Sequence, residues 1–213
     1  METRIETVMT NLRHNKMQPY YVENVNDVVP LVESLLREGD VIGVGGSETL
    51  KQTGVLPLAR SEKYRLIDRY DPTLTPEERR NRQRDAIYAD VFLTSSNAIT
   101  EDGELYNVDG IGNRVAAIAF GPKSVIVVAG VNKIVKDINE AIRRVKTIAA
   151  PLNAKRLNCD TYCQRIGYCK GLDGGMTDGC GSPSRICCQY LISGMQREPN
   201  RIKVILVGEE CGF

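Results

Sequence analysis

The pattern of this 213-residue sequence predicts a single-domain α/β fold built on a parallel-rich sheet. Three observations carry that reading. Short β-branched runs alternate with segments of helical periodicity along most of the chain. Val125-Ile126-Val127-Val128-Ala129 is a continuous apolar run, as expected of a central strand covered on both faces. Val41 to Val44 leads directly into Gly45-Gly46-Ser47-Glu48-Thr49-Leu50, the strand, glycine turn and helix order of a βα unit.

Taken in order, residues 2 to 16 have the periodicity of an amphipathic helix, with Ile5, Val8, Met9 and Leu12 on one stripe and His14 on the polar side. Tyr20 to Val22 is a short strand signal. Asn24 or Asn26 is placed to cap a second helix with the stripe Val28, Leu31, Val32, Leu35 and Leu36, closed by Gly39. After Tyr64 to Ile67, a further strand, Thr75, Pro76 and Glu78 spell a capping box with proline at the first helical position. That helix ends near Ala89, and its Arg79, Arg80, Arg82 and Arg84 are interleaved with acids, as on a solvated face. Val91 to Thr94 is the next strand. Residues 95 to 114 are polar and turn-rich, with Glu104 to Val108 as a hairpin strand. A helix over about 135 to 149 carries Val135, Ile138, Ala141, Ile142 and Val145, and Arg201 to Val207 is the last strand.

Composition limits the function classes. Hydrophobic residues are 42% and charged residues 26% of the chain, ordinary for a soluble protein. A net charge of +1 gives no broad attraction to nucleic acid or anionic lipid. The first sixteen residues lack the apolar core of a signal peptide. No apolar stretch reaches the roughly 20 residues of a membrane span, so a cytoplasmic location is expected. In a compartment that keeps thiols reduced, clustered cysteines are more often metal ligands or redox groups than bridges, and a count of seven leaves one unpaired in any case.

Three places could carry chemistry. The Gly45-Gly46-Ser47-Glu48 turn lies where a strand meets a helix, and free N–H groups there favour an anion. It has neither a P-loop ending nor a dinucleotide fingerprint, and reads equally as an ordinary tight turn. Thr94, Ser95, Ser96 and Asn97 follow a strand's C-terminal end, and Asp109, Asn113 and Arg114 add polar groups to the same segment. Glu48 is a candidate nucleophile or base, Asp109 a base and Lys133 an anion contact, but none has a partner visible in the sequence.

The third place is the strongest. Cys159 to Cys188 holds six of the seven cysteines and the glycines 167, 171, 174, 175, 179 and 181, within a loop spanning about residues 155 to 190. Cys163, Cys169, Cys180 and Cys187 are separated by five, ten and six residues. Four thiolates can hold a tetrahedral zinc ion or a 4Fe-4S cluster. The absence of a C-x-x-C knuckle and the abundance of glycine amides favour the cluster over zinc. Cys159 is the rival ligand, Cys188 should diverge from Cys187, and Cys211 reads as a free thiol.

These residues resemble a known family. Gly43-Val44-Gly45-Gly46-Ser47, the Asp90 to Thr94 strand and the block from Asn107 to Val135 look like the lactate-utilisation (LUD) domain family. Cys163-x5-Cys169…Cys180-x2-Pro183-Ser184-Arg185-Ile186-Cys187 is similar to its cysteine-bearing branch, in which the second and third cysteines stand closer together than here. The resemblance implies a fold like that of the ribose-phosphate isomerase and CoA-transferase group. It also implies a redox role in the oxidation of lactate or a related organic acid, with iron–sulfur electron-transfer subunits as partners and a homodimer as an open option. The alternative expectation is a non-redox enzyme or binding protein for a small carboxylate or phosphate, using the 45 to 48 turn and the 94 to 114 segment, with a structural zinc.

Overall fold

The computed structural model describes residues 2–213. The chain runs α1 (Glu2–His14), β1 (Gln18–Val22), α2 (Val28–Ser34), β2 (Val41–Val44), α3 (Glu48–Gln52), α4 (Val55–Ala59), β3 (Arg65–Leu66) and α5 (Pro76–Asp85). It continues through β4 (Val91–Thr94), β5 (Ala98–Thr100), β6 (Leu105–Asp109), α6 (Asn113–Phe120), β7 (Ser124–Gly130) and β8 (Ile134–Val135). The last elements are α7 (Ile138–Arg144), α8 (Ala150–Arg156), α9 (Tyr162–Ile166), β9 (Gln189–Ser193) and β10 (Ile202–Val207).

Six strands form one sheet in the order β1-β10-β7-β4-β2-β3, and every neighbouring pair is parallel. Its strands divide their side chains between two cores, as the two-residue period of a pleated strand requires. Val125, Val127 and Ala129 of β7 join Phe92, Val204 and Leu206 on one face, against α1 and α6. Ile126 and Val128 join Val44, Leu93, Ile205 and Val207 on the other, against α2, α3 and α4. The α/β fold is therefore the predicted one, with β7 fully buried near the middle.

The capping box forms as read: Thr75 Oγ1 accepts from Glu78 N, and the Glu78 carboxylate accepts from Thr75 N. Other expectations are corrected. The hairpin strand expected at Glu104 to Val108 forms as β6, antiparallel to β5, but it lies in a second sheet of order β8-β5-β6-β9 that the sequence reading did not contain. Val135 belongs to β8 rather than to a helix, and the helix that begins at Ile138 does not stop at 149. Neither Asn24 nor Asn26 caps α2, whose N-cap is Asp27 with no side-chain bond.

The helix from Ile138 to Arg156 crosses a proline by changing its winding. Val145–Ala149 is a π turn, so Ala150 N bonds Val145 O, five residues back. In that winding the carbonyl of Lys146 would be served by residue 151, but Pro151 has no N–H. The freed carbonyl accepts instead from Cys169 N, at 2.8 Å. A proline in the helix thus tethers the cysteine loop.

The parallel sheet can be tested at its centre. Val127 is 0% exposed, and an unpaired carboxylate there costs several kcal/mol. Val127→Asp is expected to accumulate as insoluble protein, which expression and thermal melting check; a soluble variant with an unchanged melting curve would contradict this core.

Candidate functional site

Two sites lie back to back across β6, one polar and one lined with thiols. The polar cleft, of about 250 Å³, opens where four parallel strands end. Gly46, Ser47 and Thr49 follow β2, Arg69 follows β3, Ser95 and Asn97 follow β4, and Lys133 follows β7. Binding outside the carboxyl ends of strands is the general habit of open α/β sheets.

Of the residues expected here, Gly46, Ser47, Glu48, Ser95, Asn97, Asp109, Asn113 and Arg114 line the cleft, whereas Gly45 and Thr94 back its wall. A Cβ at Gly45 would stand 2.9 Å from Thr94 Oγ1 and 3.3 Å from Arg114 Cδ, while one at Gly46 meets only the Tyr70 hydroxyl at 3.7 Å. Gly45 is thus the position that cannot take a side chain. The helix after the turn, α3, has five residues, too short to give the turn a useful dipole. Ser47 caps it by accepting from Leu50 N.

Arg114 and Asp109 are more committed than the sequence suggested. Arg114 donates from Nε to Asp109, from one terminal nitrogen to Ser95 O and Asn107 Oδ1, and from the other to Asn97 Oδ1 and Val108 O. All five guanidinium donors are spent, so none remains for a ligand. Asp109 also accepts from the amides of Arg114 and Val115, capping the start of α6. The pair is a clamp, and Asp109 is not placed as a free base.

Lys133 stands at the floor, 3% exposed. Its Nζ donates to Thr49 Oγ1 at 2.8 Å and to Ser95 Oγ at 2.9 Å. Among the described residues no carboxylate lies within ion-pair distance of it. Burial, then the charges of Arg144 and Arg114, lower its pKa to about 7, against an opposing pull from the Cys211 thiol. Arg69, Asn153 and Arg156 also line the cleft and were not anticipated. Arg69 follows a strand end, a signal that was available; Asn153 and Arg156 lie beyond Pro151, where the helix looked finished.

The second site is a cavity of about 20 Å³ lined by Cys163, Cys169, Cys180 and Cys187, together with Tyr106, Ile142, Val145, Met176 and Tyr190. Thr161 caps α9 and brings Cys163 inward, with its hydroxyl 3.4 Å from the sulfur. Cys169 hangs from Lys146 O. Arg185 fastens the far side, donating to the carbonyls of Thr177, Cys180 and Cys187. Lys146 Nζ holds the glycine turn through the carbonyls of Gly171, Gly174 and Gly175. Burial, with the neighbouring Cys163, Cys169 and Cys180, pushes the Cys187 thiol up to about 12, against the pull of Arg185.

Cys159 lies outside this lining, Cys188 is exposed with its sulfur 3.4 Å from Arg185 O, and Cys211 is buried among the residues of the α2–α4 face. All seven cysteines are free. Among the described residues, no three His, Cys, Asp or Glu side chains stand close enough together to grip an ion in this conformation. Ile186 lines both the cavity and the cleft. No described helix is long and apolar enough to cross a membrane.

The low pKa of Lys133 predicts a pH effect on stability. In the unfolded chain its amine holds a proton up to the usual lysine range, near 10.5; in the folded chain it loses that proton near 7. The unfolded state therefore binds more protons between those values, and wild-type stability gains with rising pH. Lys133→Met lacks this term. Its stability advantage over wild type should be largest at pH 7 and shrink by a few kcal/mol toward pH 10 in paired denaturant titrations. A constant gap would contradict a buried, depressed amine.

A solved structure described as a DUF162 family protein from Deinococcus radiodurans is similar at 16% identity and a TM-score of 0.49, covering 96% of this chain and 94% of that one. No curated protein matches the chain. The family model for the LUD domain matches residues 5–207, nearly the full length, and the chain belongs to the LUD domain family.

Proposed function

We propose that this LUD-domain protein holds an iron–sulfur cluster on Cys163, Cys169, Cys180 and Cys187 and serves as a redox component in the oxidation of lactate or a related organic acid. The observation that carries the proposal is that these four cysteines, spread over 25 residues of a glycine-rich loop, line one small cavity walled by apolar side chains.

The donor set fits such a group. Burial, with the neighbouring Cys163, Cys169 and Cys180, keeps the Cys187 thiol protonated in the absence of a cation. A bound cation reverses that preference and takes the thiols as thiolates. Four thiolates around a metal centre leave net negative charge, and Lys146 and Arg185 are the cations that border the cavity. Tyr106, Ile142, Val145 and Met176 exclude water. No three of these sulfurs are grouped in the conformation described, so ligation requires the glycine-rich loop to draw its cysteines closer together. A bound cluster would supply one-electron transfer, with an iron–sulfur subunit as the partner that accepts or delivers the electron.

A second reading rests on the cavity's size. About 20 Å³ is room for one water-sized body, which suits a single zinc ion in a structural site of four thiolates. The chemistry would then belong to the polar cleft and a small carboxylate or phosphate.

Anaerobically isolated protein is expected to be brown, with about four iron and four sulfide per chain. Single Cys→Ser changes at 163, 169, 180 and 187 should each reduce the iron content, and changes at 159, 188 and 211 should preserve it. One zinc per colourless chain would replace the redox reading with the structural one. Loss of iron in Cys188→Ser with retention in Cys180→Ser would overturn the ligand set.

A further inference from the structure

We propose that Lys133 is an amine nucleophile, and that it condenses with a small anionic aldehyde or ketone held in the polar cleft. This site is independent of any metal on the cysteines.

Its position argues first. Lys133 follows β7 at the floor of the cleft and is 3% exposed, with no carboxylate partner among the described residues. Buried lysines that serve only structure are usually ion-paired. Here the two contacts are hydroxyls whose own protons point elsewhere: Thr49 donates to Cys211 O and Ser95 to Ser96 O. Both present lone pairs to Nζ, so two N–H bonds are spent on them. The remaining valence of the nitrogen, a lone pair when the amine is neutral, has no protein partner. Burial and the nearby Arg144 and Arg114, against the Cys211 thiol, bring the amine to about half neutral at pH 7. That is the state a Schiff-base lysine requires.

The backbone is fitted to this amine. Gly212 has φ +64°, and a Cβ there would stand 2.3 Å from Thr49 Oγ1 and 3.2 Å from Lys133 Nζ.

The charge of the cleft selects the ligand. Its two side-chain carboxylates are occupied, Asp109 by Arg114 and Glu48 by Lys51. Among the described residues Arg69 has no ion pair, and its Nε is buried without a partner. Among the described residues Arg156 bonds only the Asn153 side-chain oxygen. Two unneutralised guanidinium groups beside a neutral amine favour a ligand with an anionic end and an electrophilic end. A volume of about 250 Å³ limits it to a few carbons plus a carboxylate or phosphate.

The chemistry closes without an oxidant or reductant. The nitrogen lone pair forms the C–N bond while the carbonyl π pair moves to oxygen. The nitrogen gives up a proton and the oxygen takes one, with Thr49 and Ser95 as the hydroxyls in reach. Loss of water leaves the C=N bond. The imine withdraws electrons from the adjacent carbon, so the reaction class it serves is proton removal or bond cleavage next to a carbonyl.

The test traps the imine. Full-length protein at pH 7 is incubated with glyoxylate or with dihydroxyacetone phosphate, treated with cyanoborohydride, and mapped by peptide mass spectrometry. The expected result is one adduct at Lys133, formed at least tenfold faster than at the exposed Lys123 and Lys136. It should be absent from Lys133→Met and at least fivefold slower in Arg69→Gln. Labelling by glyoxylate alone would identify the anion as a carboxylate, and labelling by dihydroxyacetone phosphate alone as a phosphate. The wild-type map decides the matter even if a variant fails to fold. No Lys133 adduct with either compound, or one formed no faster than at the exposed lysines, overturns the proposal. Iron content is a separate readout, so failure here leaves the metal reading standing, and the reverse.

Discussion

The buried Arg114–Asp109 pair is the interaction on which the arrangement of both sites depends. The main sheet and the second sheet share no strand, and the chain passes between them over a few residues after Thr94. Arg114 closes that junction by spending its five donors on Asp109, Asn107 and Val108 of β6 and on Ser95 and Asn97 beyond β4. Removing one partner of such a pair costs about 3–5 kcal/mol, because the other is left buried and charged. The hydrogen bonds to neutral oxygens make it a specifying contact as well as an ion pair. With β6 fixed, its Asp109 end faces the cleft, Tyr106 faces the thiol cavity, and β9 pairs along it to bring back the end of the cysteine loop.

A second constraint comes from the α7–α8 helix. Its π turn puts Val145 and Lys146 against the thiols and ends on Ala149 at the cleft, where the next turns add Asn153 and Arg156. The two sites therefore share a helix, a strand and the side chain of Ile186. The cysteine loop thus packs on the same elements that wall the cleft. It is not an appendage on an unrelated scaffold.

What could be read from the sequence was what local physics decides. The run Val125 to Ala129 could only be a strand buried on both faces, and Thr75, Pro76 and Glu78 form the helix start they spell. The cysteines stood out because thiols and glycines together fit no ordinary core. What escaped depended on contacts distant in sequence. β9 has little periodicity of its own and exists because β6 offers it an edge. The hairpin within 95 to 114 was legible, but the burial of its polar groups was not, because they are satisfied by Arg114, a partner no local window reveals. Arg69 and Arg156 reach the cleft from β3 and α8, elements whose ends were misplaced by a two-residue strand and by a helix that winds through Pro151.

The central proposal is that the four thiols lining the cavity bind a metal, and that the metal is iron. X-ray absorption on the anaerobically isolated protein, recorded at the iron and zinc edges, tests it most directly. The account predicts an iron signal with a sulfur-only first shell at about 2.3 Å, a typical metal–thiolate distance, and a second shell of iron neighbours. A zinc edge with four sulfurs and no metal neighbour would contradict the redox role. Absence of both metals, or a shell containing nitrogen or oxygen, would contradict a four-cysteine centre altogether.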